Sequence, residues 1–226
     1  MKNLVLSILF LCCAGAVTLL AADPWQKKPF TAWNDQDVQA VLKDSPWAHE
    51  LAILIKGRAD DIRDNNPAGG GGGGGGGMGG PGGGGGDRGS LTNSLTVRFV
   101  SALPVRQAMA RQKFGDQVGT SPVVAKNLST PDNYYVVGIE GHVPPGDPKD
   151  IKAKSALKVG KGKDSITPAD VRLENGMIVL FFPREGHPIT VEDGEVEVQL
   201  ALPGQAGPLK RGFKLKNMVY NGKLEL

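Results

Sequence analysis

The chain of 226 residues reads as an α+β protein: a mainly antiparallel β-sheet with a few short helices, a β-rich C-terminal half and a disordered glycine-rich loop. Beyond DPKDIKAKSA, short apolar runs bounded by turn residues dominate, as expected for strands. Helical periodicity is confined to a few short segments with recognisable caps. Near the C-terminus, FKLKNMVYNGKLEL carries Asn221-Gly222 between two runs, the strongest short-range hairpin signal there is. Strands and helices in this mixed order read as α+β with a mainly antiparallel sheet.

The first segment, MKNLVLSILFLCCAGAVTLLAAD, has one lysine, a long apolar stretch from Leu4 to about Leu20, and small residues ahead of Asp23. This is the plan of a secretory signal peptide, with cleavage expected near Ala22. One alternative is an N-terminal anchor, because the stretch approaches the roughly 20 residues a bilayer requires. The other is a lipoprotein attached through the cysteine pair, which Leu11 and Cys12 fit poorly. Residues 1–22 are thus read as the signal peptide and 23–226 as a single exported α+β domain, periplasmic or extracellular, with no stable membrane insertion after cleavage.

In FTAWNDQDVQAVLKDSPW, Asn34 can cap a first turn, Asp35 and Asp37 sit near the positive helix end, and Trp33 before the cap can pack on Val38. Val38, Val41 and Leu42 share a face, and Ser45-Pro46 stops the helix, predicted at about 34–44. The run Leu51 to Ile55 in ELAILIK predicts a strand buried on both faces.

Residues 66–89 then read NPAGGGGGGGGGMGGPGGGGGDRG, with sixteen glycines between Gly69 and Gly86. Glycine loses the most backbone entropy on ordering and offers no side-chain burial in return, so a disordered loop is expected at about 64–90. Beyond it SLTVRFVSA alternates, with Leu95, Val97 and Phe99 on one face and Thr96 and Arg98 on the other. Two strands therefore bracket the tract. An expanded loop between neighbouring strands is the simplest reading, because loop length costs only logarithmically. A linker between domains is the alternative, though few exported residues precede the tract. No G-x-x-x-x-G-K-[ST] occurs there or at GKGKDS, which argues against a phosphate cradle.

Further on, LPVRQAMARQKFG predicts a helix with Val105, Ala108 and Met109 on one face and Gly115 at its end. A Pro/Ser/Thr-rich loop leads to a central strand at Tyr134 to Ile139, and DPKDIKAKSA predicts a short helix with Asp147 as cap and Pro148 at its first position. GMIVLFFP is apolar on both faces, whereas EVEVQLAL alternates and turns Val196, Val198, Leu200 and Leu202 inward.

The segments DVQAVLKDSPWA, SALPVRQAMAR, FFPREGHPIT and FKLKNMVYNGKLEL, with the signal peptide and glycine insert, resemble a group of uncharacterised secreted bacterial proteins. The resemblance covers most of the exported chain and implies no activity, fold or catalytic residue.

Composition removes several chemistries. The only cysteines, Cys12 and Cys13, lie in the signal segment, so the exported chain has no disulfide, thiolate nucleophile or cysteine-ligated metal. Cleavage removes Lys2 and no acid, taking the net charge from +3 to +2. That is too little for electrostatic capture of nucleic acid. The five lysines between Ile151 and Asp164 lack interleaved aromatic residues and read as a solvated face. Trp25, Trp33 and Trp47 crowd the exported N-terminus, where packing and a sugar-stacking platform are the competing readings.

The candidates for chemistry are a repeated tripeptide: Glu140-Gly141-His142 after the YYVVGI run and Glu185-Gly186-His187 after MIVLFFP. If both strands end side by side, Glu140, His142, Glu185 and His187 meet, enough for general acid/base work, with His142 and His187 as metal ligands. As polar turns at two strand ends they need no function. No HExxH or G-x-S-x-G pattern occurs. The sequence names no substrate and calls for no cofactor. It favours a non-catalytic secreted or periplasmic binding or assembly module whose partner is a protein or envelope polymer. The alternative is a metal-dependent or acid/base enzyme built on the paired Glu-Gly-His loops.

Overall fold

A computed structural model describes residues 23–55, 91–143, 146–160, 164–174, 176–202, 205 and 207–226. The expectations for residues 1–22 and for 64–90 concern chain outside the described residues.

A short helix α1 (Pro24–Lys27) leads to α2 (Asp35–Lys43), whose start follows from local chemistry. The Asp37 amide donates to the Asn34 side chain at 2.9 Å and the Asn34 amide donates back to the Asp37 carboxylate at 2.8 Å. Such a reciprocal pair satisfies two of the amides a helix start leaves open. Pro46-Trp47 does more than stop the helix. It turns the chain from β1 (Asp44–Ser45) into β2 (Ala48–Ile55), pairing Ser45 with Ala48. The next described strand is β3 (Leu91–Phe99), followed by α3 (Leu103–Phe114), which ends at Gly115 with φ 54.

The stretch read from sequence as a loop contains a further helix, α4 (Pro122–Ser129). Ser121 accepts from the Val124 amide at 3.5 Å and Pro122 occupies the first helical position, a combination that starts helices even where the apolar period is too short to show. Then come β4 (Tyr134–Gly141) and α5 (Pro148–Lys154), capped by Asp147. Strands β5 (Ala156–Val159), β6 (Asp164–Ile166), β7 (Asp170–Glu174), β8 (Met177–Pro183), β9 (Glu195–Leu200) and β10 (Leu209–Lys214) follow. The sequence pattern does not mark β6, β7 or β10, which are short or heavily charged. The C-terminal hairpin is β11 (Val219–Tyr220) and β12 (Lys223–Leu224), turned by Asn221 at φ 49 and Gly222 at φ 76. Positive φ at both central residues is what a two-residue hairpin turn of this twist demands.

Strands pair antiparallel throughout, in a six-stranded sheet ordered β1-β2-β3-β4-β8-β7 and a four-stranded sheet ordered β10-β9-β5-β6. Strands β2 and β3, on either side of the glycine tract, are direct neighbours from Ala48↔Arg98 to Ile55↔Leu91. Because paired positions share a face, Leu95, Val97, Phe99, Val137, Ile139, Ile178 and Leu180 line one side of the larger sheet. They join Leu157, Val159, Val196, Val198, Leu200 and Phe213 of the smaller sheet in one core, where the Phe99 and Phe213 rings meet edge to face at 5.0 Å. At one end of this core Trp47 meets Trp25 at 5.6 Å and Tyr220 at 6.2 Å, and the Tyr220 hydroxyl donates to Gln107 at 3.1 Å. Trp33 and Trp47 are 0% exposed, so these side chains are core and offer no open stacking platform.

Candidate functional site

Strands β4 and β8 are neighbours, as the paired-tripeptide reading requires, but they run antiparallel, from Tyr134↔Pro183 to Glu140↔Met177. Glu140 therefore stands across from the start of β8, while Glu185 follows its end beside Tyr134. Six strand steps of about 3.4 Å put the two ends roughly 20 Å apart. The single constellation of Glu140, His142, Glu185 and His187 is thus corrected: the pairing that brings the strands together sends their ends to opposite rims of the sheet. Glu185 lies on an open depression with Asp132, Asn133, Tyr134, Pro183 and Arg184. Among the described residues no group of three or more His, Cys, Asp or Glu side chains is placed to hold a metal ion. The repeat itself has a backbone reason, because Gly141 (φ 137) and Gly186 (φ 75) both turn the chain out of a strand in conformations that side chains disfavour.

The other face of the larger sheet carries the chemistry. Alternation in β3 places Arg98 on this face, opposite Gly138 of β4, with α2 packed nearby. The residue is 5% exposed. Its Nη1 donates to the Leu42 carbonyl at 3.1 Å, and its Nη2 pairs with the Glu140 carboxylate and approaches Met177 Sδ at 3.4 Å. Its Nε, also buried, has no hydrogen-bond partner. Burial pulls the Arg98 pKa below its ordinary value, yet a guanidinium remains charged at physiological pH. Glu140 balances that charge from a side chain that is 55% exposed. Removing Glu140 would leave an enclosed cation without its ion-pair partner and is therefore destabilising, although the exposed carboxylate makes the loss smaller than for a fully buried pair.

Arg98 lines a cavity of about 240 Å³ between α2, α3 and the sheet, with Gln39, Lys43, Gln112, Glu140 and Met177 among its walls. Its wall residues Met109 and Met177 also line a larger groove of about 700 Å³ running toward α4. Val100, Val136, Val179 and Phe181 form the apolar part of that groove, and Arg106, Lys126, Asn127, Thr130, Asp132 and Glu174 supply its polar groups. Gly138 keeps this face low: a Cβ there would meet Val100 Cγ2 at 2.7 Å. Methionines at the junction give it a deformable wall, since thioether side chains repack at little cost.

Of the four candidate site residues Glu140, His142, Glu185 and His187, Glu140 is the one that lines this surface. Arg98 is legible in part, as a charged residue in the middle of a strand between apolar neighbours, but alternation alone predicts a solvated side chain there. Compared with family models, curated proteins and solved structures, the chain gives no match.

Proposed function

We propose that this chain is an exported, non-catalytic binding or assembly module, periplasmic or extracellular, that receives a partner protein or envelope polymer on the helix-bearing face of its larger sheet. The observation that carries the reading is the groove of about 700 Å³, whose apolar wall of Val100, Met109, Val136, Met177, Val179 and Phe181 is ringed by groups of both charges. Recognition sites of this kind are concave, mostly apolar and furnished with a few orienting polar groups. Sheet-edge association is less suited to the chain. The edge strand β7 carries Asp170, Arg172 and Glu174 in ion pairs at 2.7 and 3.6 Å, and the opposite sheet's edge β10 carries Lys210, Arg211 and Lys214. Charged edges discourage strand addition.

Export rests on the plan of residues 1–22, and among the described residues no helix is long and apolar enough to cross a membrane. The enzyme reading rests on the paired Glu-Gly-His loops, and Glu140 and Glu185 stand at opposite rims of the sheet. The test is retention of envelope proteins and polymers by the immobilised protein, with photo-crosslinking from position 181 to locate the contact. Retention lost in a folded Phe181→Glu variant supports the groove. Retention indifferent to that change, or crosslinks mapping elsewhere, overturns it. Export is checked separately by cell fractionation and N-terminal sequencing, with Asp23 the expected first residue.

A further inference from the structure

We propose that the Arg98 pocket is a carboxylate-binding subsite at the end of the groove, so that the ligand is an extended apolar peptide bearing an acidic group, and that Glu140 is a resident counter-ion which the incoming carboxylate displaces. The inference rests on the groove being the binding surface.

The guanidinium is a planar fork suited to taking a carboxylate through two parallel hydrogen bonds. Here that capacity is half used. The Nη2 of Arg98 is engaged by Glu140 and by a weak thioether acceptor, while the adjacent Nε stays buried and without a partner. An orphaned buried donor on a cation is costly, and one bidentate acceptor would satisfy both nitrogens together. The surrounding walls are donor-rich. Lys43, whose ion pair with Glu50 is long at 3.9 Å, and the amides of Gln39 and Gln112 share the cavity with Arg98, against one carboxylate, Glu140. With Glu50 answering Lys43 and Glu140 answering Arg98 the charges balance, and swinging Glu140 away leaves the Arg98 guanidinium for an incoming carboxylate. The cavity volume of about 240 Å³ admits a carboxylate-bearing side chain or chain end. Glu140 is the movable member, because its side chain reaches solvent while Arg98 is enclosed.

The adjoining groove, lined by apolar and polar side chains in near-equal number, decides what carries the carboxylate. Asn127 stands among its lining with side-chain donor and acceptor groups, and the Thr130 hydroxyl, which donates to the Lys126 carbonyl at 2.8 Å, keeps an acceptor site; a hydrocarbon tail would leave these unused, whereas peptide amides require them.

The probe is a synthetic hexapeptide with apolar residues at alternate positions and a C-terminal glutamate, compared with its glutamine amide, titrated into the purified protein by fluorescence anisotropy. The acidic peptide is expected to bind at least about tenfold tighter, the size of one charge-assisted hydrogen bond. Glu140→Gln should strengthen that binding several-fold while leaving the amide unchanged. The same variant should melt lower without ligand and recover more on adding the acidic peptide than the parent does. Lys43→Gln, on a half-exposed side chain, should weaken the acidic peptide alone. Equal binding of the two peptides, or no gain in Glu140→Gln, overturns the carboxylate subsite and leaves the groove reading standing. Binding of neither peptide overturns both, and dodecanoate outcompeting the acidic peptide overturns the peptide assignment.

Discussion

The hydroxyl of Tyr135 holds the segment after β8 by two bonds at once, donating to the His187 carbonyl at 3.0 Å and accepting from the Ile189 amide at 3.1 Å. Arg184 lies over the same ring at 4.2 Å. The loop that contains Glu185-Gly186-His187 is thereby tied to the core strand it follows. Its histidine contributes a backbone oxygen to the fold.

Replacing Tyr135 with Phe removes both bonds and leaves two backbone groups to find water. A loss of about 1–2 kcal/mol is expected in chemical denaturation, in the range for unmet partners near the surface. Because Tyr135 faces the core and not the groove, partner retention should not change. Loss of retention in a folded Tyr135→Phe protein would show that the loop after β8 takes part in binding.

Cleavage between residues 69 and 86 should leave the two fragments associated. Trp33, Val41 and Trp47 on one side share a single apolar cluster with Phe99, Val105 and Tyr220 on the other. The β2–β3 ladder, eight residue pairs long, adds direct backbone bonding between them. A protease site placed in the tract, followed by gel filtration under native conditions, should give one peak at the uncut position. Two separate peaks, each with its own cooperative melt, would mean that no shared core exists.

Stability should fall as pH drops below about 7. Burial, reinforced by Arg211 and opposed by Asp44, holds the His49 imidazole below its ordinary value, and its ring lies 4.9 Å from Phe213. More than about one unit above 6.5 the ring is neutral in both folded and unfolded chains and contributes no slope. Below that value the unfolded chain takes the proton first, so stability is lost as pH descends toward the folded pKa. Thermal melts from pH 7.5 to 5 should show this fall, and His49→Gln should flatten part of it. An unchanged slope would assign the acid sensitivity to other groups.

Asn34→Ala should cost about 1 kcal/mol, since it strips one half of the reciprocal cap on α2. The Asp37 carboxyl, which burial pushes up but bonds from Lys28 and the Asn34 amide bring below its ordinary value, keeps the other half. Hydrogen exchange localised to residues 35–38 would confirm that the loss is confined to the first turn. A change spread across the sheet would point instead to misfolding of the whole N-terminal segment.

Much of the architecture was legible because its signals are local. The Asn34 cap, the Gly115 stop, the Asp147-Pro148 start and the Asn221-Gly222 turn each express a backbone preference of one or two residues. The alternation of Val196, Val198 and Leu200 expresses the two-residue period of any half-buried strand. Helix α4 was written in the same terms, as Ser121-Pro122, but its single buried valine leaves no period to read. Charged β7 and β10 carry no apolar pattern and exist only because a neighbouring strand supplies the partners for their backbone groups.

The sequence by itself determined the α+β class, most of the apolar strands and helices, and the absence of cysteine chemistry beyond residue 22, because composition and short-range periodicity need no knowledge of what lies across the fold. Only the tertiary structure decided the site. The strand direction that parts Glu140 from Glu185, and the helices that close over Arg98 and turn it from a solvated strand residue into a buried cation, are set by contacts between segments dozens of residues apart. Such contacts depend on where each strand docks, and a strand's own residues state its faces but not its neighbours.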